Sequence, residues 1–293
     1  MDNVIYKDNV IYRFSKDNAP VLSVDSGAIV KFHTLDCFGE QIDTKCPVLE
    51  DLDWERINPA TGPIYVNGAE IGDSLKITIE KIAVASTAIV STGRGMGLFG
   101  DQFEEVYVKV LDIKDNMLIF KDLSIPIKPM IGVIGVAPSS ESISCGVPGT
   151  HGGNMDNNMI TEGSTLYLPV LTKGALFACG DVHAVMGDGE VCVTGAEVSS
   201  EVTVKLELIK NKSLANPVLE NDDYIITIAS DEILDVAVET SVGDMLELLL
   251  NTTNKFNKEE LVMLFSLVGN TEICQIVDPK KTARFKFPKA VLK

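Results

Sequence analysis

Most of the chain alternates between apolar and polar residues at every second position. The alternation is clearest in GDSLKITIEKIAVAS, which begins at Gly72, and in VTVKLELIK, which begins at Val202. Because successive side chains of a β-strand point to opposite faces, this period predicts strands with one buried face. Further strands are predicted at residues 28–36, 101–113, 117–120, 124–128, 130–136, 164–170, 175–179, 190–201, 224–229 and 273–277.

The period changes from two to 3.6 after residue 230, which predicts two helices. The first would begin after an N-cap at Ser230 or Asp231 and bury an apolar stripe of Leu234, Val238, Val242, Met245 and Leu249. The second would begin at Asn257, whose side chain can form a capping box with Glu260, and end at Gly269. Its apolar face would consist of Leu261, Leu264, Phe265 and Val268.

Two segments lack either period. Residues 40–63 are predicted to be irregular, because Asn58–Pro63 contains two prolines and a glycine. Residues 91–100 (STGRGMGLFG) are rich in glycine like a phosphate-binding loop, but a strand and not a helix is predicted next. We therefore predict a surface loop here, which is a candidate cover for a site.

Length and charge limit the class of protein. With 293 residues the chain can form one large domain or two to three smaller ones. The formal net charge of −17 argues against nucleic-acid and anionic-membrane partners. The sequence shows neither a signal peptide nor an apolar run that could span a membrane. Its six cysteines form no CxxC pair, which favours reduced thiols and a cytoplasmic location.

The candidate chemistry is concentrated between residues 138 and 190. Two of the three histidines, His151 and His183, occur here among glycines and carboxylates, which are Glu141, Asp156, Asp181, Asp188 and Glu190. Asp181 and His183 are two residues apart, so on a strand both would point to one face. A divalent cation accepts such oxygen and nitrogen ligands, although Gly, Asn and Asp are also ordinary turn residues.

The third histidine, His33, precedes Asp36 by three residues. That spacing places the two on opposite faces unless the strand bends or ends there, so a structural and a functional role are equally compatible with His33. We expect all three histidines to converge if they form one ligand set.

Three types of hydrolysis use residues of these kinds. A serine triad is disfavoured because no GxSxG motif is present. Cys145 and Cys179 are conceivable nucleophiles, but a buried, inert thiol is the commoner role. Metal-assisted hydrolysis fits best, with Asp and His ligands and a further Glu or Asp as general base.

Several motifs resemble the acetamidase/formamidase family along nearly the whole chain. They are HGGNMD from His151, GDVHAVMGDGE from Gly180, NPATGPIYVNGAEIGD from Asn58, PMIGVIGVAP from Pro129 and CQIVDPKKTARFKFPK from Cys274. The resemblance implies an amidase that converts a short linear amide into a carboxylate and ammonia. The chain departs from the family pattern at Met186, where Gln is usual, and at Gly269-Asn270, where Asp is favoured.

The resemblance also implies a mainly β (α+β) fold. We expect a β-rich catalytic region at 1–220, with a jelly-roll-like sandwich from about 1–55 and 130–220 and a small β-barrel from about 56–129. A C-terminal α/β unit at 221–293 would contain the helical hairpin, packed away from the site. The resemblance further implies a homodimer and a bound divalent metal, with zinc as the first candidate and calcium as the second.

The residue pattern and the resemblance together assign roles to individual site residues. The predicted metal ligands are His33, Asp36, Asp156, Asp181 and His183. Glu141 is the predicted general base, with Asp188 and Glu190 in reserve, and substrate contacts are assigned to His151, Gly152, Gly153 and Asn154. Met186 is expected to favour acetamide over formamide if its side chain reaches the site. The alternative function is a non-catalytic protein that binds a metal or a small molecule.

Overall fold

The computed structural model describes residues 3–49 and 52–293, and within them strands dominate. The strands are β1 Asn3–Ile5, β2 Val10–Ile11, β3 Arg13–Phe14, β4 Leu22–Val24, β5 Ala28–Thr34, β6 Ala60–Val66, β7 Ser74–Val84, β8 Thr87–Gly93, β9 Val106–Lys114, β10 Met117–Phe120, β11 Leu123–Pro126, β12 Met130–Gly135, β13 Ile143–Ser144, β14 Gly152–Asn154, β15 Thr165–Pro169, β16 Phe177–His183, β17 Glu197–Val198, β18 Ser200–Ile209, β19 Val218–Glu220, β20 Tyr224–Asp231, β21 Asn270–Gln275 and β22 Lys281–Pro288. The helices are α1 Leu234–Thr252 and α2 Lys258–Val268, with single 3-10 turns at Trp54–Arg56, Gly100–Gln102 and Lys289–Val291.

The first sheet has nine strands in the order β1-β5-β18-β7-β15-β19-β20-β22-β21. The two segments with the clearest alternation, β7 and β18, are antiparallel neighbours in it. Leu75, Ile77 and Ile79 of β7 are buried, whereas Lys76 and Thr78 between them are half-buried. The period of two in the sequence therefore corresponds to one face on the core and one face toward solvent.

The second sheet has eleven strands. Its main order is β11-β10-β9-β8-β17-β16-β12-β14, and β6 pairs with β16, β2 and β4. Every residue of β12 and β16 is buried. Strands covered on both faces need not alternate, which explains why MIGVIG and FACGDVH do not.

The two sheets pack face to face around one core. Phe32 of β5 and Phe177 of β16 meet across the interface, with ring centroids 5.8 Å apart at an interplanar angle of 77°. Buried Ile77 of the first sheet and Ile134 of the second belong to the same hydrophobic cluster. The prediction of a mainly β fold with a sandwich is therefore confirmed.

The predicted small barrel is wrong. Residues 3–49 and 52–293 form no closed barrel, because the strands of the 56–129 segment are divided between the two open sheets. β7 joins the first sheet, whereas β6 and β8–β11 join the second. The segment 40–63 is also less irregular than predicted, since its described part ends in β6, which runs through Pro63. Residues 50 and 51 of that segment lie outside the described residues.

The C-terminal segment extends the first sheet instead of forming a separate layer. β20 pairs with β22 over its whole length, up to Asp231 opposite Lys281. This pairing explains why α1 begins after Ile233 and not after Ser230 or Asp231. The boundary predicted at 220/221 thus falls within one continuous sheet, and the division into domains stays a prediction.

The two helices form the predicted hairpin. The capping box of Asn257 and Glu260 is present, and α2 ends at Gly269 as predicted. Their apolar faces pack on β22, where Met245, Leu249, Leu261, Phe265, Phe285 and Phe287 form a cluster. Neither helix is long and apolar enough to cross a bilayer.

Candidate active site

A cavity of about 500 Å³ opens at one end of the second sheet. Its buried end is lined by the amide of Asn154 on β14, by Asp181 and His183 on β16, and by the carboxylates of Glu190 and Glu197. The loop after β21 adds Asp278, so the C-terminal segment contributes directly to the cavity. No residue of α1 or α2 lines it, in agreement with the prediction that the helices pack elsewhere.

His183 lies at the centre of the acidic residues. Its Nε2 is 3.2 Å from Glu197 Oε2, 3.4 Å from Asp181 Oδ1, 3.8 Å from Asp156 Oδ1 and 4.0 Å from Glu190 Oε1. Two local relationships explain this geometry. Asp181 and His183 are alternate residues of one strand, and Glu197 is the cross-strand neighbour of His183 in the β16–β17 ladder.

The backbone that carries the acidic residues is strained. Asp156, Asp181 and Glu190 have φ values of 43°, 50° and 47° in the left-handed region, which residues with a Cβ avoid. Such outliers persist only where the surrounding structure enforces them, and they are commonest at functional sites. Here they place Asp181 and Glu190 at the cavity and Asp156 beside His183.

Two glycines make room for this arrangement. A Cβ on Gly132 would lie 2.5 Å from Asp156 Oδ1 and 3.0 Å from Asp181 Oδ2. A Cβ on Gly195 would lie 2.5 Å from His183 Nδ1. Any side chain at either position would push the carboxylates or the imidazole out of place.

Burial and mutual repulsion perturb the ionisable groups. Burial raises the pKa of Glu190 well above its ordinary value, and the Asp156 charge raises it further. The pKa of Asp278 is raised in the same way, by burial and then by Asp156. Burial also raises the pKa of Glu197, to about 8. Burial alone would lower the pKa of His183, but the Glu197 and Asp181 charges outweigh it and raise that pKa.

Several buried side-chain oxygen and nitrogen atoms at the site have no hydrogen-bond partner among the described residues. They are Asp156 Oδ1 and Oδ2, Asp181 Oδ1, Glu197 Oε2, Asn154 Oδ1 and His183 Nδ1. Unpartnered buried carboxylate oxygens are costly, and each such group needs an explanation. A bound cation is one explanation, because it satisfies the oxygens and neutralises their charge.

The ligand atoms form two compact groups. One contains Cys37, Asp181 and Glu197, and the other Asp156, His183 and Glu190. Within each group all three ligand atoms lie within 4.8 Å of one another. The sulfur, imidazole nitrogen and carboxylate oxygens on offer are the donors that zinc prefers, and carboxylates also suit calcium.

The structure brings five of the predicted site residues together: Asp156, Asp181, His183 and Glu190 in the acidic cluster and Asn154 beside it. Asn154 Nδ2 donates to Asp278 Oδ2 at 3.0 Å. His151 is buried but does not line the cavity, and its ring packs edge-on against Phe14 at 5.3 Å. Burial lowers the pKa of His151 to about 4.

Gly152 and Gly153 also lie behind the cavity wall. Both are in β14, which pairs with β12 and adopts positive φ values of 93° and 80° at these residues. Their lack of a side chain lets β14 lie against Ile134 and Val147. The structure thus gives them a packing role, and their assignment to substrate binding stays a prediction.

His33 does not join the other site residues. It lies between the buried Phe32 and Thr34 on β5, so the period of two turns its side chain away from the core. Its ring stacks on Tyr6 at 5.2 Å, and Nδ1 is 3.6 Å from Glu201 Oε1. The prediction that all three histidines converge is therefore wrong for His33.

The other predicted carboxylates also lie outside the cavity. Asp36 is buried nearby, but its Oδ1 accepts from the backbone N of Glu40 at 2.9 Å. Glu141 is exposed. Asp188 Oδ2 accepts from Arg284 Nη2 at 2.7 Å, which leaves Glu190 as the one predicted base that lines the cavity.

Sequence reasoning missed Cys37, Glu197 and Asp278. Glu197 occupies a polar position in an alternating segment, which is also typical of a solvent-facing residue. Asp278 is part of the CQIVDP segment that resembles the family ending, but nothing local marks it as a site residue. The loop at 91–100 was predicted as a cover, and Met96 of that loop does line the cavity.

The fold and this cavity define a mainly β protein with a partly open, acid-rich cavity. The model of the Acetamidase/Formamidase family matches residues 3–145 and 142–291. The chain therefore belongs to the Acetamidase/Formamidase family.

Solved structures of the family share the fold over nearly their full length. A predicted acetamidase/formamidase from Thermoanaerobacter tengcongensis is 50% identical, with a TM-score of 0.97 over 100% of this chain and 97% of that one. An acetamidase from Bacillus halodurans is 41% identical, with a TM-score of 0.96 over 99% and 98%. A putative formamidase from Schizosaccharomyces pombe is 26% identical over 69% of this chain, and the match spans only 65% of that relative.

Proposed function

We propose that this chain hydrolyses a short linear amide to a carboxylate and ammonia, with a divalent cation bound in the acidic cluster. The observation that carries the proposal is the set of unpartnered, buried carboxylate oxygens of Asp156, Asp181 and Glu197 around His183. Membership of the family supports amide hydrolysis, and the donor set supports the cation. Zinc is the first candidate, because a thiol and an imidazole are among the donors, and calcium is the second.

The two compact groups contain the residues that would hold metal. Cys37, Asp181 and Glu197 would form one set of ligands, and Asp156 and His183 would contribute to the other, with Glu190 beside them. A divalent cation at such a site supplies Lewis acidity, which polarises a carbonyl and acidifies water. It would also remove the repulsion that raises the pKa values of the carboxylates.

The chain's own residues would orient the amide and move the proton. Asn154 Nδ2 is committed to Asp278, so its buried Oδ1 is available to accept from the amide N–H2 of the substrate. Glu190 is our candidate for the proton acceptor, because it lines the cavity beside His183, with its Oε1 4.0 Å from His183 Nε2. It would then deliver that proton to the amide nitrogen of the substrate, which departs as ammonia.

Ammonia release from formamide and acetamide tests this proposal. We expect activity in metal-replete protein, its loss after chelation and its recovery on adding zinc. Asp181→Asn should abolish both the activity and the bound metal, whereas Asp112→Asn, which removes an exposed carboxylate paired with Lys114, should change neither. Metal bound without ammonia release would instead support the non-catalytic alternative. Activity that survives complete removal of metal would rule out the cation.

The assignment of the base has its own test. Glu190→Gln should lower kcat by about 10²-fold or more, which is typical for the loss of a general base. Glu141→Gln should leave kcat unchanged, because Glu141 is exposed and lies outside the cavity. The opposite result would restore Glu141 as the base.

Assembly as a homodimer and a cytoplasmic location remain predictions. Light scattering of the purified protein would establish the mass of the assembly.

A further inference from the structure

The cavity is much larger than the smallest amides require. Its volume is about 500 Å³, within the range of about 300–1,000 Å³ that holds drug-sized molecules. Formamide and acetamide would occupy only a small part of it. The acidic cluster accounts for the buried end, so the remaining space needs a separate explanation.

That remaining space has an apolar wall. Phe38, Ile57, Met96 and Val193 line the cavity and also belong to one hydrophobic cluster that is separate from the sandwich core. Val277 adds a further apolar side chain beside Asp278. A packed apolar wall next to a few convergent polar groups is the usual composition of a site for an organic ligand.

Trp54 marks the mouth of the cavity. It lines the cavity while remaining 55% exposed, whereas His183 at the other end is 1% exposed. An exposed tryptophan face at a cavity mouth is costly in water and gains from contact with an apolar ligand.

The charged groups near the mouth do not call for a charged substrate. Arg13 lines the cavity, but its Nε and Nη2 donate to Ser142 Oγ at 3.0 Å and Ser142 O at 2.7 Å. Glu55, with the opposite charge, lines the same cavity. A substrate with a single charge would therefore meet one favourable and one unfavourable partner.

We propose that the amide cleaved here carries an apolar acyl group larger than acetyl, which lies along this apolar wall toward Trp54. The inference rests on the proposed function, since it places the amide group at the acidic end. The acyl chain removes the wall and the Trp54 face from water, and that gain increases with chain length.

A series of linear amides tests the inference by kinetics. Ammonia release is measured for formamide, acetamide, butanamide and hexanamide with the metal-replete protein. Each buried methylene should raise kcat/KM by about fourfold, which makes butanamide about fifteenfold better than acetamide. A value of kcat/KM that stays constant or falls beyond acetamide would overturn the proposal.

Two variants test whether the acyl group lies against Trp54. Trp54→Ala should lower kcat/KM for hexanamide by about tenfold, the loss expected for one to two methylenes of apolar contact, and leave formamide unchanged. Leu267→Ala is the matched control, because Leu267 is a 76% exposed apolar residue on α2, outside the cavity. Equal effects of Trp54→Ala on formamide and hexanamide would contradict the proposed position of the chain.

Binding can be followed without turnover, because Trp54 is the only tryptophan of the chain. Hexanamide added to the Glu190→Gln variant should shift the emission of Trp54 to shorter wavelength, whereas formamide should not. Together with ammonia release, the Trp54 emission distinguishes a failure of the proposed hydrolysis from a failure of the proposed apolar site. No ammonia from any amide, together with the emission shift, would refute hydrolysis but keep the apolar site. Hydrolysis of formamide without any shift by hexanamide would refute the apolar site alone.

Discussion

Arg284 Nη2 donates to Asp188 Oδ2 at 2.7 Å, and this contact ties the hairpin of β21 and β22 to the candidate active site. Asp188 precedes Glu190 by two residues. Nη1 of the same guanidinium donates to Asn157 Oδ1 at 2.7 Å, and Asn157 follows Asp156 directly. One buried arginine thus fixes both segments that present the strained Asp156 and Glu190.

We predict that Arg284→Met lowers kcat by at least about tenfold, because a displacement of about 1 Å in a site can cost 10²-fold in rate. Arg284→Lys should recover only part of the loss, since an ammonium cannot reproduce the forked geometry. Lys286→Met is the control, because Lys286 contacts Glu272 on the same hairpin but neither site segment. If Arg284→Met and Lys286→Met lowered the thermal midpoint equally and also lowered kcat equally, the role of Arg284 would be in stability alone.

The cysteines should differ in their importance. Cys37→Ser should reduce the bound metal and ammonia release, because Cys37 is grouped with Asp181 and Glu197. Cys145→Ser and Cys179→Ser should keep most activity. Both thiols lie outside the cavity, and burial raises their pKa values far above the range of a reactive thiolate. An acyl-enzyme on Cys145 or Cys179 in a mass spectrum would contradict a hydrolytic route without a covalent intermediate.

Met186 should not control the choice between formamide and acetamide. It is buried outside the cavity, in a separate depression beside Leu111 and Phe120. Met186→Gln should therefore leave the ratio of kcat/KM values for acetamide and formamide unchanged. It should lower the free energy of unfolding by about 1–3 kcal/mol, because an amide replaces an apolar group in a buried position. A tenfold change in this ratio would show that Met186 does control the choice between acetamide and formamide.

The capping box at the start of α2 gives a prediction about stability. Asn257 Oδ1 accepts from the backbone N of Glu260, and Glu260 Oε2 accepts from the backbone N of Asn257, each at 2.9 Å. Asn257→Ala should lower the free energy of unfolding by about 1 kcal/mol. Asn254→Ala, in the exposed connection before α2, should cost less than half as much. Urea unfolding followed by circular dichroism measures the free energy of unfolding of both variants. Equal decreases would show that the Asn257 cap has no specific stabilising role.

Local patterns in the sequence predicted the elements and one pair of site residues. The alternation in β7 and β18 and the capping box of α2 are properties of neighbouring residues, so they are visible without a fold. The same holds for Asp181 and His183, whose spacing of two places Oδ1 and Nε2 3.4 Å apart. In β5 the same rule turns His33 away from the core.

The rest of the site depends on contacts between distant segments. Glu197 reaches His183 through the register of the β16–β17 ladder, and Asp278 reaches Asn154 through the loop after β21. Hydrophobic patterning cannot distinguish such buried carboxylates from the exposed ones that make up most of the acidic residues. The predicted barrel was wrong for a related reason, because each of its strands is an ordinary strand and only the pairing partners decide which sheet it joins.

The position of Asp278 in the chain has a consequence for biosynthesis. Ribosomes deliver the N-terminal strands first, and β1 to β18 can pair while the hairpin of β21 and β22 is still being made. Asp278 and Arg284 emerge only afterwards, although one completes the acidic cluster and the other fixes its loops. A nascent chain that stalls before β21 would carry an assembled sandwich without the residues that complete the acidic cluster, so the candidate site would form only after Asp278 and Arg284 have been synthesised.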